Sequence, residues 1–99
     1  MSFVTIQPEV LAMAVGDLQK IGTAVTAQNA AACAPTTGVL PPAADEVSAL
    51  TAARFAAHAE KYQVVGRQAA LVHDMFVATL AAGADSYAAT EAANVVATS

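Results

Sequence analysis

Tryptophan is absent from this 99-residue chain, aromatic residues make up only 5% of it, and Cys33 is its single cysteine. An internal disulfide is therefore excluded. Cys33 reads either as a small semi-buried residue or tolerated free thiol, or as an intermolecular or reactive one. Positive charge is scarce as well: four Lys and Arg stand against eight Asp and Glu, for a net charge of −4. Nucleic acid is not expected as a partner, because phosphate binding needs a clustered basic surface and these four cations are scattered. The segment Met1 to Gln7 lacks the basic start and continuous apolar stretch of a secretory signal peptide, so export by the general route is not expected. The longest uncharged run, residues 21–44, is long enough to cross a bilayer, but Gln28, Asn29, Pro35, Pro41 and Pro42 interrupt it. It reads as a helix end followed by a loop.

Catalytic constellations are missing too. Ser48, Ser86 and Ser99 lie in no nucleophile elbow, and neither phosphate-binding glycine motif occurs. His58 and His73 are 15 residues apart without a zinc-binding pair, and read as polar residues of a helix surface or seam. Glu9, Asp17, Glu60 and Asp74 read as solvated helix charges. No enzymatic activity, cofactor or metal is expected.

Apolar surface of small volume is what the chain has in quantity. Hydrophobic residues make up 57% of it, with 27 alanines and a mean hydropathy of +0.52. Alanine gives helix propensity and little bulk, which points to long, closely packed helices without a bulky aromatic core. A compact chain of this mass would expose roughly 5,200 Å², against about 14,000 Å² unfolded. An elongated hairpin falls short of that compactness, so the apolar sequence raises the question of a second chain.

Pro8-Glu9 is a good helix opening: proline at the first position sacrifices only an unpaired N–H, and the carboxylate faces the positive end of the helix dipole. Leu11, Val15, Leu18, Ile21 or Gly22, and Val25 then recur at spacings of three and four, predicting an amphipathic helix over residues 8–32 of about 25 residues. Gly16 and Gly22 weaken it slightly but allow a neighbouring helix to come close. Residues 33–44, with three of the four prolines, predict a hairpin tip. Asp45-Glu46 opens a second helix, predicted over residues 45–82 with Gly83 as its C-terminal cap. Its apolar residues Val47, Leu50, Phe55, Tyr62, Val65, Ala69, Val72, Phe76 and Leu80 cover well over a quarter of the wheel, with Glu60, Gln63, Arg67 and Asp74 on the other side.

Such helices make an all-α antiparallel two-helix hairpin in a single domain. Val64, Leu71 and Met75 lie beside the main stripe, so the apolar arc is wider than one partner helix can cover. A second helical pair completing a four-helix bundle is expected, and a homodimer of hairpins is physically its equal. The expected partner-facing residues are Leu11, Val15, Leu18, Ile21, Val47, Leu50, Phe55, Tyr62, Val65, Val72, Phe76 and Leu80. Arg54 and Lys61, seven apart inside this arc, either lay their stems over apolar surface or meet carboxylates on a facing helix.

The opening MSFVTIQPEV with Pro8-Glu9, the tip APTTGVLPPAADEVSAL and the tail Tyr87-Ala88-Ala89-Thr90-Glu91 together resemble the mycobacterial PE family, and within it the short members that consist of the PE domain alone. The wording is most similar to short PE proteins of the fifth type VII secretion locus. The resemblance covers essentially the whole chain. It implies a hairpin that pairs one-to-one with a PPE protein in an elongated helical bundle. It further implies export of that pair by a type VII secretion system, with an EspG chaperone holding the PPE tip in the cytosol. The export signal of the family, Tyr-x-x-x-Asp/Glu, maps onto Tyr87 and Glu91 in the tail, residues 83–99. On a continued helix these two share a face. Localisation at the cell surface or outside follows from the same resemblance, as does an alternative role at the cell envelope, such as solute uptake, with membrane association after export. Sparse basic charge speaks against simple electrostatic binding to anionic lipid. Cys33 stands where the family would place a small residue such as alanine, and Arg54, Lys61 and Arg67 match no family motif.

Overall fold

Pro8 begins the first helix of a computed structural model that describes residues 7–98. Gln7, in extended conformation, precedes it, and its carbonyl accepts the amides of Val10 and Leu11 at 3.0 and 3.2 Å. The first helix, α1, spans Pro8–Thr37 and the second, α2, spans Glu46–Thr98. Among the described residues these two helices are the whole architecture, and no strand is present. Residues 1–6 of the MSFVTIQPEV opening, and Ser99, lie outside the described residues.

Both helices run further than the sequence predicts. Pro35, expected in the hairpin tip, lies inside α1, which continues to Thr37. A proline near the C-terminal end removes one backbone donor without forcing an immediate stop. The last turn is held by Thr36 and Thr37, whose hydroxyls donate to the carbonyls of Ala32 and Cys33 at 2.6 and 2.7 Å, and by the Gly38 amide on the Ala34 carbonyl at 3.1 Å. Gly83 does not cap α2. A capping glycine adopts the left-handed conformation, and no described glycine has a positive φ. Its propensity deficit of about 1 kcal/mol is outweighed by the alanines around it, and no proline follows.

The start of α2 has a capping arrangement. Asp45 accepts the Ser48 amide at 2.8 Å and the Ser48 hydroxyl at 3.0 Å, which satisfies one of the unpaired N–H groups of the first turn. The Asp45 carboxyl is held below its usual range, first by the Ser48 amide and then by the Ser48 hydroxyl.

The seam between the helices is made of small residues. Ala52, Ala56, Ala59, Gln63, Gly66, Ala70, His73, Val77, Leu80 and Ala84 are buried or half-buried, and they alternate spacings of four and three. That is the period of a coiled-coil seam. On α1 the corresponding column is Pro8, Leu11, Val15, Leu18, Gly22 and Asn29. Among the described residues only Val15, Ala52, Ala59, Val77 and Ala84 form the buried hydrophobic core, and no large side chain is fully buried. The result is a rod of 80 × 20 × 18 Å with a radius of gyration of 22.8 Å. A compact domain of this length would have a radius of about 13 Å. The long dimension is the length of α2 itself, about 80 Å at the standard rise, whereas α1 reaches about 45 Å.

Candidate interaction surface

Two polar clamps set the register of the hairpin. His73 Nε2 lies 2.8 Å from the Leu18 carbonyl, so this nitrogen carries the proton and donates across the seam. The imidazole is seated on Gly22, where an added Cβ would come within 2.8 Å of the ring. The second clamp lies nearer the tip, centred on Asn29. Asn29 accepts the Tyr62 hydroxyl on its side-chain oxygen at 3.0 Å and the Gln63 side-chain Nε2 on its backbone carbonyl at 2.9 Å. Gly66 makes room for it: a Cβ there would meet Asn29 Nδ2 at 3.3 Å. Each glycine thus faces a polar side chain of the opposite helix. The sequence singles out Gly22 as a place of close approach, but it does not show that His73 and Asn29 fill the gaps.

The hairpin leaves its bulkiest apolar residues outside. Val47, Leu50, Phe55, Tyr62, Val65, Val72 and Phe76 are between 53% and 75% exposed, and Ile21 is 54% exposed. Four other residues expected to face a partner are less exposed. Val15 is buried in the intrachain seam, and Leu11, Leu18 and Leu80 are half-buried along it, so they face the other helix of their own chain. The reason is register: on α1 the apolar column of three-four spacing is the one that meets the alanine column of α2.

Two grooves run along the uncovered face. One, of about 370 Å³, has walls that include Ile21 and Val25 from α1 and Val65 and Ala69 from α2. The other, of about 410 Å³, lies nearer the tip between Ala32, Pro35 and Val39 on one side and Phe55, His58 and Ala59 on the other. Asn29 and Tyr62 border both. The opposite side of the rod carries Glu60, Arg67, Cys33 and Thr37 around a shallower depression. Cys33 is a free, half-buried cysteine.

Beyond Ala84 every described residue of α2 is exposed. Tyr87 and Glu91 lie on this uninterrupted helix one turn apart, both exposed. Among the described residues no group of three His, Cys, Asp or Glu side chains is placed to hold a metal, and no helix is long and apolar enough to cross a membrane.

A small-residue seam, two unequal helices and one uncovered apolar face define an open antiparallel helical hairpin. Known proteins place it within a group. The profile of the PE family matches residues 4–94, and the chain belongs to that family. It is 67% identical to the PE family protein PE13 of Mycobacterium tuberculosis strain H37Rv over 99 residues, covering 100% of both chains. It is 54% identical over 97 residues to the uncharacterized PE-PGRS family protein PE_PGRS34 of the same strain, covering 98% of this chain and 19% of that protein. With PE_PGRS33 of strain CDC 1551 / Oshkosh the identity is 56% over 94 residues, covering 95% of this chain and 20% of that protein. The chain therefore matches a short relative end to end and spans about a fifth of the two PE-PGRS relatives.

Proposed function

We propose that this hairpin is a non-enzymatic partner of a PPE-family protein, with which it forms a one-to-one, four-helix heterodimer. The pair is the cargo of a mycobacterial type VII secretion system, and Tyr87 and Glu91 at the exposed end of α2 carry the export signal. An EspG-type chaperone engages the complex through the PPE chain before export, and the pair ends at the cell surface or outside.

The observation that carries this reading is the uncovered face. The chain exposes 7626 Å². A compact fold of its mass would expose roughly 5,200 Å², so about 2,400 Å² of surface is in excess. A standard interface takes about 800 Å² from each partner, and obligate ones take more. The apolar rings and branched side chains on that face are the kind of surface that helical partners bury.

Co-expression with and without candidate PPE proteins, followed by size-exclusion chromatography with mass determination, tests the proposal. The expected outcome is aggregation or poor solubility alone and a soluble one-to-one complex with one PPE protein. A stable monomer or homodimer that ignores every PPE protein offered would overturn it.

A further inference from the structure

The aromatic ridge of α2 has a gap. Phe55, Tyr62 and Phe76 repeat at multiples of seven residues along the uncovered face, and the position that continues the series is Ala69. Val65, Gln68, Ala69 and Val72 have the i, i+3, i+4, i+7 spacing of the four-residue hole that receives a knob in helix packing, and all four are exposed. Ala69 also lines the 370 Å³ groove whose far wall is Ile21 and Val25. Flanked by the rings of Tyr62 and Phe76 one heptad to either side, Ala69 is a gap in the ridge that opens onto this groove.

Charge indicates what kind of helix comes there. Arg54 and Lys61, both exposed, lie seven residues apart beside the ridge, and neither has an ion-pair partner among the described residues. A helix running along the ridge answers both with two carboxylates seven residues apart. A second copy of this chain has no such pair: its carboxylates are at positions 9, 17, 45, 46, 60, 74, 85 and 91. The excess surface described above is sufficient for a standard heterologous interface.

Resting on the partner reading above, we propose that Ala69 is the specificity position of the interface. It receives one bulky apolar side chain from a helix of a different chain, and that helix carries two acidic residues spaced to meet Arg54 and Lys61.

The test uses the PPE protein that co-purifies with the wild-type chain. Ala69→Phe fills the hole and should weaken the complex by 30-fold or more, while Ala69→Gly stays within about threefold and shows that the hole, not the methyl group, matters. Both variants are compared with wild type for helix content, since Ala69 is exposed and outside the intrachain seam. Arg54→Glu combined with Lys61→Glu should weaken the complex at least tenfold and flatten its salt dependence. Wild-type affinity for Ala69→Phe would overturn the proposal, and so would wild-type affinity for the charge-reversed chain. If the wild-type chain captures no PPE protein and pairs only with itself, the partner reading fails along with the inference. If it captures one and Ala69→Phe binds equally well, the inference fails alone.

Discussion

Phe55 and Phe76 are 62% and 57% exposed on the hairpin, and their removal should separate binding from folding. An aromatic side chain buries about 200 Å² when fully enclosed. With more than half of each ring outside, a covering helix would bury roughly another 120 Å² per residue, or about 3 kcal/mol at about 25 cal/mol per Å². Alanine keeps part of that surface, so Phe55→Ala or Phe76→Ala should cost about 2 kcal/mol of association each, close to 30-fold. The double variant should lose about a thousandfold if the two sites act independently, as their separation of six helical turns suggests. Helix content of the recovered complexes should change little, because the seam is made by other residues. Arg67→Ala, on the opposite side of the rod, is the control and should bind as wild type. The assay is co-expression of each variant in competition with tagged wild-type hairpin for the PPE chain, with circular dichroism on the recovered complexes. Full affinity in the double variant would refute the argument that this face is the interface, and a loss of affinity that tracks loss of helicity would refute the separation of seam from surface.

Three further outcomes follow from the geometry. Gly22→Ala gains about 1 kcal/mol of helix propensity but displaces the His73 imidazole from the Leu18 carbonyl, a bond worth about 1 kcal/mol, so in the wild-type background it should be near neutral. In a His73→Ala background the same change should stabilise by about 1 kcal/mol, and denaturant unfolding of the four-member cycle would show no coupling if the clamp were idle. Asp45 has its carboxyl lowered from the ordinary 3.8 chiefly by the Ser48 amide, so its capping contribution is complete above that value and is lost as pH falls through the lower value of the folded state. The protection of the Ser48 amide against hydrogen exchange, relative to an unstructured amide at the same pH, should therefore fall in acid, and Asp45→Asn should remove that pH dependence while keeping an acceptor. Tyr87→Ala or Glu91→Ala should block export while leaving PPE binding intact, and normal culture-filtrate levels of both variants would contradict the assigned signal.

The helix starts were legible in the sequence because proline at the first position and acidic first-turn residues are local signals, and the structure places α1 at Pro8 and α2 at Glu46. The ends were less so. Pro35 and Gly83 are helix breakers in isolation, but their cost of a few kcal/mol or less is summed against every neighbour in an alanine-rich helix, and the neighbours prevail. The expectation of two helices with a wide apolar arc on the second matches what is seen. Which apolar residues point inward was not legible. The spacing put Leu11, Val15, Leu18 and Leu80 on the same apolar face as Leu50, Phe55 and Phe76, yet the first four lie along the seam and the last three are exposed, because small residues repeated at three-four spacing let two helices approach more closely than rings do. Cross-helix pairs such as Tyr62 with Asn29 carry no sequence signal, since residues 33 apart meet only once the register is fixed.

That alanine seam decides how the chain persists in a cell. With five buried hydrophobic residues and no large side chain fully enclosed among the described residues, the two helices hold each other with little apolar surface. Under the proposed pairing, association adds to that small intrinsic stability by mass action. The fraction of chains that survive proteolysis would then depend on the supply of the proposed partner, so the steady-state level of this protein should rise and fall with that second gene product even when its own synthesis is constant.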